Sequence, residues 1–160
     1  VQCGAVEQVQ DKFEEWNMNW RWAEPLESED LIKEFEIKEN YNFPKEYIDI
    51  IKNFNAGYPE YEEFISWQGE RKIESVFSSL LSLNKGSKIN MWHFNDSLHR
   101  IWAENREFDN YIVFASDPFG NIICFDKTND HIVFIDHETL SIEPVADSFS
   151  EFIAGLKEIE

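Results

Sequence analysis

The chain has 160 residues, of which 42% are hydrophobic and 16% aromatic, enough apolar material for one core and too much for intrinsic disorder. Its 32 acidic and 14 basic residues leave a net charge of −18, spread over both halves, which disfavours direct contact with nucleic acid or an anionic membrane and favours a basic protein partner. No apolar run approaches the roughly 20 residues that cross a bilayer, and two cysteines, Cys3 and Cys124, do not make a disulfide framework.

The opening residues, VQCGAVEQVQ, have neither an initiator Met nor the basic flank and apolar core of a signal peptide. Cytoplasmic residence is the expectation. The acidic balance alone also fits a plain solubility requirement. One domain is expected over 1–160, with an N-terminal helical segment at 6–22 and a core at 26–156.

Residues 6–22 place Val6, Val9, Phe13 and Trp16 on one helical face, and Trp16, Trp20 and Trp22 cluster near its end. These tryptophans read as core, with a docking surface as the alternative. Ser28 precedes Glu29-Asp30, acids suited to a helix N-terminus, and Leu31, Ile32 and Phe35 form the apolar face of a helix ending near Asn40.

A further helix opens at Tyr41-Asn42-Phe43-Pro44, with Pro44 in its first turn. Tyr47, Ile50, Ile51 and Phe54 follow at i, i+3, i+4, i+7. Asn55-Ala56-Gly57 ends it, with Gly57 expected as the left-handed cap. Tyr61 to Trp67 alternates in part and reads as a strand, with Tyr61, Glu63, Ile65 and Trp67 on one side. Gln68-Gly69-Glu70 is a turn. Ile73 to Leu83 reads as a strand followed by a short helix, and Lys85-Gly86-Ser87 as a loop. Met91, Phe94, Leu98, Ile101 and Trp102 fit another helix, which carries His93 and His99.

Tyr111 to Leu156 holds most of the strand-forming residues. Tyr111–Ala115, Ile122–Phe125 and His131–Ile135 are short β-branched and aromatic runs bounded by turn residues. Pro118 and Gly120 supply the first turn, and Asp126 to Asp130 the second, so an antiparallel meander is expected. The runs are apolar almost throughout, which predicts burial on both faces. Ser148 and Glu151 form a capping box, and Phe149, Phe152, Ile153 and Leu156 make one helical stripe. The fold class is α+β: a single domain with an antiparallel or mixed sheet flanked by helices.

The residues assemble no chemistry. His131 and His137 flank a whole strand, about 20 Å apart if it is extended, and His93 and His99 are six apart on a helix, not the i, i+4 of a ligand pair. Asp117-Pro118-Phe119-Gly120-Asn121 lacks the alternation and bidentate Glu of an EF-hand loop. There is no G-x-S-x-G, P-loop or G-x-G-x-x-G pattern, and neither cysteine adjoins a His. No catalytic residue, metal ligand or cofactor is expected.

Phe43-Pro44 with Tyr47 and Asn55-Ala56-Gly57 resembles a helix of the SUKH superfamily, in its Smi/Knr-type branch. Phe114-Ala115, Phe119-Gly120-Asn121 and Ile123-Cys124-Phe125-Asp126 are similar to that family's strand pair. Ile132-Val133-Phe134, Asp136-His137-Glu138, Val145-Ala146, Ser148-Phe149 and Phe152 are similar to its last strand and helix. The resemblance covers Leu26 to Leu156 and departs at Phe43, where Leu is usual, and Ala56, where Gly is usual. It implies an α+β fold and a bacterial immunity protein that neutralises a cognate polymorphic toxin, often a nuclease. Its motif residues read as structural, with Asp126 capping a loop.

The −18 charge suits a toxin domain that is basic because it grips nucleic acid. Acids interleaved with aromatics mark the expected contacts: Glu60, Glu62, Glu63 and Trp67, with Asp117 and Phe119 on the turn. A regulatory interaction scaffold of the same fold is the alternative, and a small-molecule or metal-dependent enzyme the third reading. Nothing in the residues fixes an oligomeric state.

Overall fold

Tyr47 packs its ring against four other aromatic rings, those of Phe43, Phe114, Phe125 and Phe149, at centroid distances of 4.7 to 5.9 Å. These come from both helical and sheet segments, so this cluster joins the two layers. The computed structural model describes residues 19–100 and 106–156. The helix expected over 6–22 therefore lies outside the described residues up to residue 18, and Asn19 to Trp22 are not helical.

Helix α1 is Asp30–Glu39, with Ser28 Oγ accepting from the Asp30 N–H at 3.2 Å and Asn40 closing it in the left-handed region, φ 51°. Helix α2 is Lys45–Phe54, so Pro44 stands just before it as its cap. Tyr47, Ile50 and Ile51 of the stripe are buried, each contributing roughly 1.5–3 kcal/mol of burial before entropy.

The end of α2 corrects one expectation. The left-handed residue is Ala56, φ 61°, and not Gly57. Gly57 answers to space: a Cβ there would lie 2.9 Å from the Phe54 carbonyl oxygen and 3.2 Å from the Trp20 ring. Glycine at 57 lets the chain pass between them.

Strands β1 (Glu63–Gln68) and β2 (Arg71–Val76) form an antiparallel hairpin turning through Gly69, φ 61°. No helix follows. Instead β3 (Ser79–Leu80) begins a five-stranded sheet. The Ser78 and Leu81 amides donate to Ser116 and Phe114 carbonyls, and the Leu80 amide to that of Gly57. Partners distant in sequence take the hydrogen bonds that a helix would have made locally.

Helix α3 is Met91–Arg100; Ile101 and Trp102 fall outside the described residues. The remaining strands are β4 (Tyr111–Ser116), β5 (Ile122–Asp126), β6 (Ile132–Ile135) and β7 (Ile142–Ala146), ordered β3-β4-β5-β6-β7 and antiparallel throughout. The meander is as expected, and β7 extends it beyond what the residues announced. Pro144 in β7 is tolerable because that strand is an edge. Asp126 Oδ1 accepts from the Thr128 amide and from Asn110 Nδ2, capping its loop.

Strand β4 bulges between Val113 and Ala115. There Asn95 of α3, fully buried, accepts from the Val113 N–H at 2.8 Å and donates to its carbonyl at 3.0 Å. Helix α4 is Phe149–Ala154, capped by Ser148 Oγ, which accepts from the Glu151 amide. The Glu151 carboxylate reaches back one residue further than a regular capping box, to the Asp147 amide at 3.2 Å.

Ile123, Phe134 and Glu143 are paired across β5, β6 and β7 and so share one sheet face. The hairpin covers this face through Phe64, whose ring lies 5.9 Å from Phe134 and 5.5 Å from Phe152. Ile122, of opposite parity, lines a space with Phe94 and Leu98 of α3. The sheet is buried on both faces at β4, β5 and β6, as its continuous apolar runs predict.

Candidate partner-binding surface

A carboxylate inside a protein needs hydrogen-bond donors to offset its lost hydration. Glu143 is 2% exposed. Its Oε1 accepts from Ser66 Oγ at 2.8 Å, and its Oε2 from Gln68 Nε2 and Ser141 Oγ, both at 3.1 Å. Ser66 and Gln68 are on β1, so this one carboxylate latches the hairpin onto β7.

Latched in this way, the hairpin forms one wall of a cleft of about 260 Å³. Gln68, Ile73 and Glu74 line that wall, Phe134 and Glu143 lie on the sheet, and Asp117, Phe119 and Asp136 come from the turns at the strand ends. Four lining residues are acidic and none is Lys, Arg or His.

The β4–β5 turn is built around Asp117, which is only 8% exposed. Its Oδ1 accepts from the Phe119 and Asn121 amides, and its Oδ2 from Asn121 Nδ2, all at 2.8 Å. Asn121 Oδ1 in turn accepts from the His137 amide at 3.0 Å and from its Nδ1 at 2.8 Å. Gly120 takes φ 89°. With this frame fixed, Phe119 is 69% exposed.

The residues singled out from sequence do not form one patch. Asp117 and Phe119 meet at the cleft, but Asp117 is a buried turn-former and not the exposed acid expected. Trp67 is 40% exposed. It points away from Ser66 and Gln68 on the outer face of β1, across from Lys72. Glu60 is exposed and accepts from the Asn19 amide. Glu62 and Glu63 are half-buried at the hairpin's base, the Glu62 carbonyl accepting from the Phe77 amide. Asp136 and Glu143 were missed as a pair, while Glu74, opposite Ile65, shares the outward parity of Trp67. A signal existed only for Glu143, an acid at the inward parity of β7, and it becomes readable only once β7 is known to be a strand.

Among the described residues, no group of three or more His, Cys, Asp or Glu is placed to hold a metal ion. Burial pushes the Cys124 thiol and the Tyr47 phenol well above their ordinary values, so neither is an anion at neutral pH. Tyr47 donates its hydroxyl to Met91 Sδ at 3.0 Å. No described helix is long and apolar enough to cross a membrane.

No curated protein matches the chain. The family model SUKH_6, described as SMI1-KNR4 cell-wall, matches residues 29–153. That span is most of the chain and runs from the start of α1 into α4, taking in the hairpin, the sheet and the cleft between them. The chain belongs to the SUKH family.

Proposed function

We propose that this protein is an immunity protein: it binds a cognate polymorphic toxin domain, basic and nuclease-like, and blocks it by covering the groove through which the toxin grips its substrate. The SUKH family is associated with immunity proteins and with generally non-enzymatic immunity or scaffold folds. The observation that carries the reading is the cleft, lined by four acids and no cation, with an exposed aromatic beside it on a turn held rigid from within. Nucleic acid presents a nuclease with closely spaced negative charge. An acidic surface that buries aromatics on contact competes for the same basic groove.

In this reading Phe119 is the apolar anchor at the cleft and Asp117 positions it, Glu60, Glu62 and Glu63 steer the encounter from the base of the hairpin, and Trp67 makes a separate contact on the hairpin's outer face. No bond is made or broken, and no cofactor takes part. The protein works in the bacterial cytoplasm, where an incoming nuclease meets its substrate.

The test is co-expression with the toxin encoded beside it, scoring survival. Growth restored by this protein supports the reading. Continued killing, with the folded protein present in excess, overturns it. Reversing the charge of Glu60, Glu62 and Glu63 together is expected to slow association at low salt, and an unchanged on-rate removes that face from the interface.

A further inference from the structure

We propose that strand β2 pairs edge to edge with β2 of a second copy of this chain, antiparallel about a two-fold axis at Ile73, so that two hairpins join into one four-stranded sheet. The inference goes beyond the immunity reading and does not depend on it. It rests on the backbone and the charge order of β2.

Strand β2 is bonded to β1 on one side only and is an edge of its two-stranded sheet. The ladder fixes which of its backbone groups point outward. The Phe77 amide donates to the carbonyl of Glu62, which continues the register of the hairpin by one pair. Hydrogen-bonded and non-hydrogen-bonded pairs alternate along an antiparallel ladder. Arg71, Ile73 and Ser75 therefore bond to β1, whereas Lys72, Glu74 and Val76 turn their N–H and C=O groups to the free edge. No described residue takes those groups. A row of open backbone groups on an exposed strand is a template for another strand.

The charge order selects the strand that fits. Lys72 and Glu74 are both exposed, share the hairpin's outer face, and make no ion pair among the described residues. A second β2 bonds only in registers that set outward-turned residues opposite one another. Centred on Lys72, such a register opposes two ammonium groups, and centred on Glu74 it opposes two carboxylates; like charges directly opposite destabilise a ladder. Centred on Ile73, Lys72 of each copy stands opposite Glu74 of the other, and each such pair exchanges both backbone bonds. The two Ile73 side chains then meet on the axis, at a non-hydrogen-bonded position where side chains come closest. The edge is thus complementary to itself, as a two-fold contact requires. A uniformly basic strand would match Glu74 but meet Lys72 as a like charge, so a second copy fits this edge better.

Copies carrying −18 each repel at a distance, and physiological salt confines that repulsion to about 8 Å. Association is therefore expected to strengthen as salt is added, the reverse of an interface between oppositely charged proteins.

The experiment is sedimentation velocity on the full chain from about 10 μM to about 1 mM in about 0.15 M salt. The parent is expected to pass from monomer to dimer across that range. Lys72→Glu sets carboxylates opposite each other and Glu74→Lys sets ammonium groups opposite each other, so each variant alone is expected to stay monomeric. Mixed in equal amounts, the two variants restore both opposite-charge pairs and are expected to form a heterodimer. Both positions are exposed, so the variants keep the fold. The register is read separately in a Cys3→Ser background. Ile73→Cys is expected to cross-link on mild oxidation, since Cα atoms about 4.5 Å apart across the axis lie within disulfide reach. Ser75→Cys, placed opposite Arg71, is expected not to.

A parent that remains monomeric to the highest concentration overturns the proposal. So do single variants that dimerise like the parent, a mixture that fails to associate, or cross-linking at position 75 in preference to 73.

Discussion

Ser66 Oγ donates to Glu143 Oε1 at 2.8 Å, and with that bond a residue of the hairpin meets a residue of the five-stranded sheet. The two sheets share no backbone ladder, so side chains must hold them in place. Gln68 adds a second bond to the same carboxylate. Glu143→Ala removes both and leaves the donors facing a void. It is expected to cost about 1–3 kcal/mol in urea unfolding. Amide exchange in β1 and β2 should accelerate more than in β4 and β5. Equal acceleration everywhere would mean that the carboxylate does not act as a latch.

Ala56 occupies the left-handed region at the end of α2, where an L side chain costs roughly 1–2 kcal/mol. Ala56→Gly relieves that strain but adds freedom to the unfolded chain, so a net gain of about 0.5–1 kcal/mol is expected. Gly57→Ala should do the reverse, since its Cβ would press on the Phe54 carbonyl. Thermal melts of the two variants on either side of the parent check this. A stabilised Gly57→Ala would refute the close-approach account.

Glu24 ties the segment before α1 to the loop after β3. Burial raises its pKa, but hydrogen bonds from Ser87, Asn84 and Ser82 outweigh it, and the net value lies below the ordinary 4.5. A carboxylate lowered by folding stabilises above its unfolded pKa, and that stability is lost as pH falls through the folded one. Between pH 5 and pH 3 the parent should therefore lose stability faster than Glu24→Gln. Parallel stability-against-pH curves would show that Glu24 is not linked to folding.

Phe119 and Asp117 separate contact from positioning. Phe119→Ala is expected to leave stability within about 0.5 kcal/mol, as exposed positions do, and to weaken partner binding by about tenfold or more. Asp117→Ala orphans the Phe119 and Asn121 amides. It should lower both stability and affinity, with the affinity loss appearing in the on-rate as the turn loses its fixed shape. Calorimetry and surface-binding kinetics with the purified toxin domain distinguish the two outcomes.

The residues themselves determined whatever depends on neighbours close along the chain. The α2 stripe from Tyr47 to Ile51, the three meander strands between Tyr111 and Ile135, and the Ser148 cap of α4 all follow from periodicity and turn chemistry within a few positions. Burial of β4 to β6 on both faces was legible for the same reason. Tertiary structure alone decided the rest. Ser79 and Leu80 look helical in isolation, and only the free edge of β4 makes them a strand. That position 57 has no room for a Cβ depends in part on Trp20, more than thirty residues upstream. The cleft's acids come from β2, β7 and the turns between strands, residues with no common spacing, and a charge so spread is gathered only where the sheet and the hairpin meet.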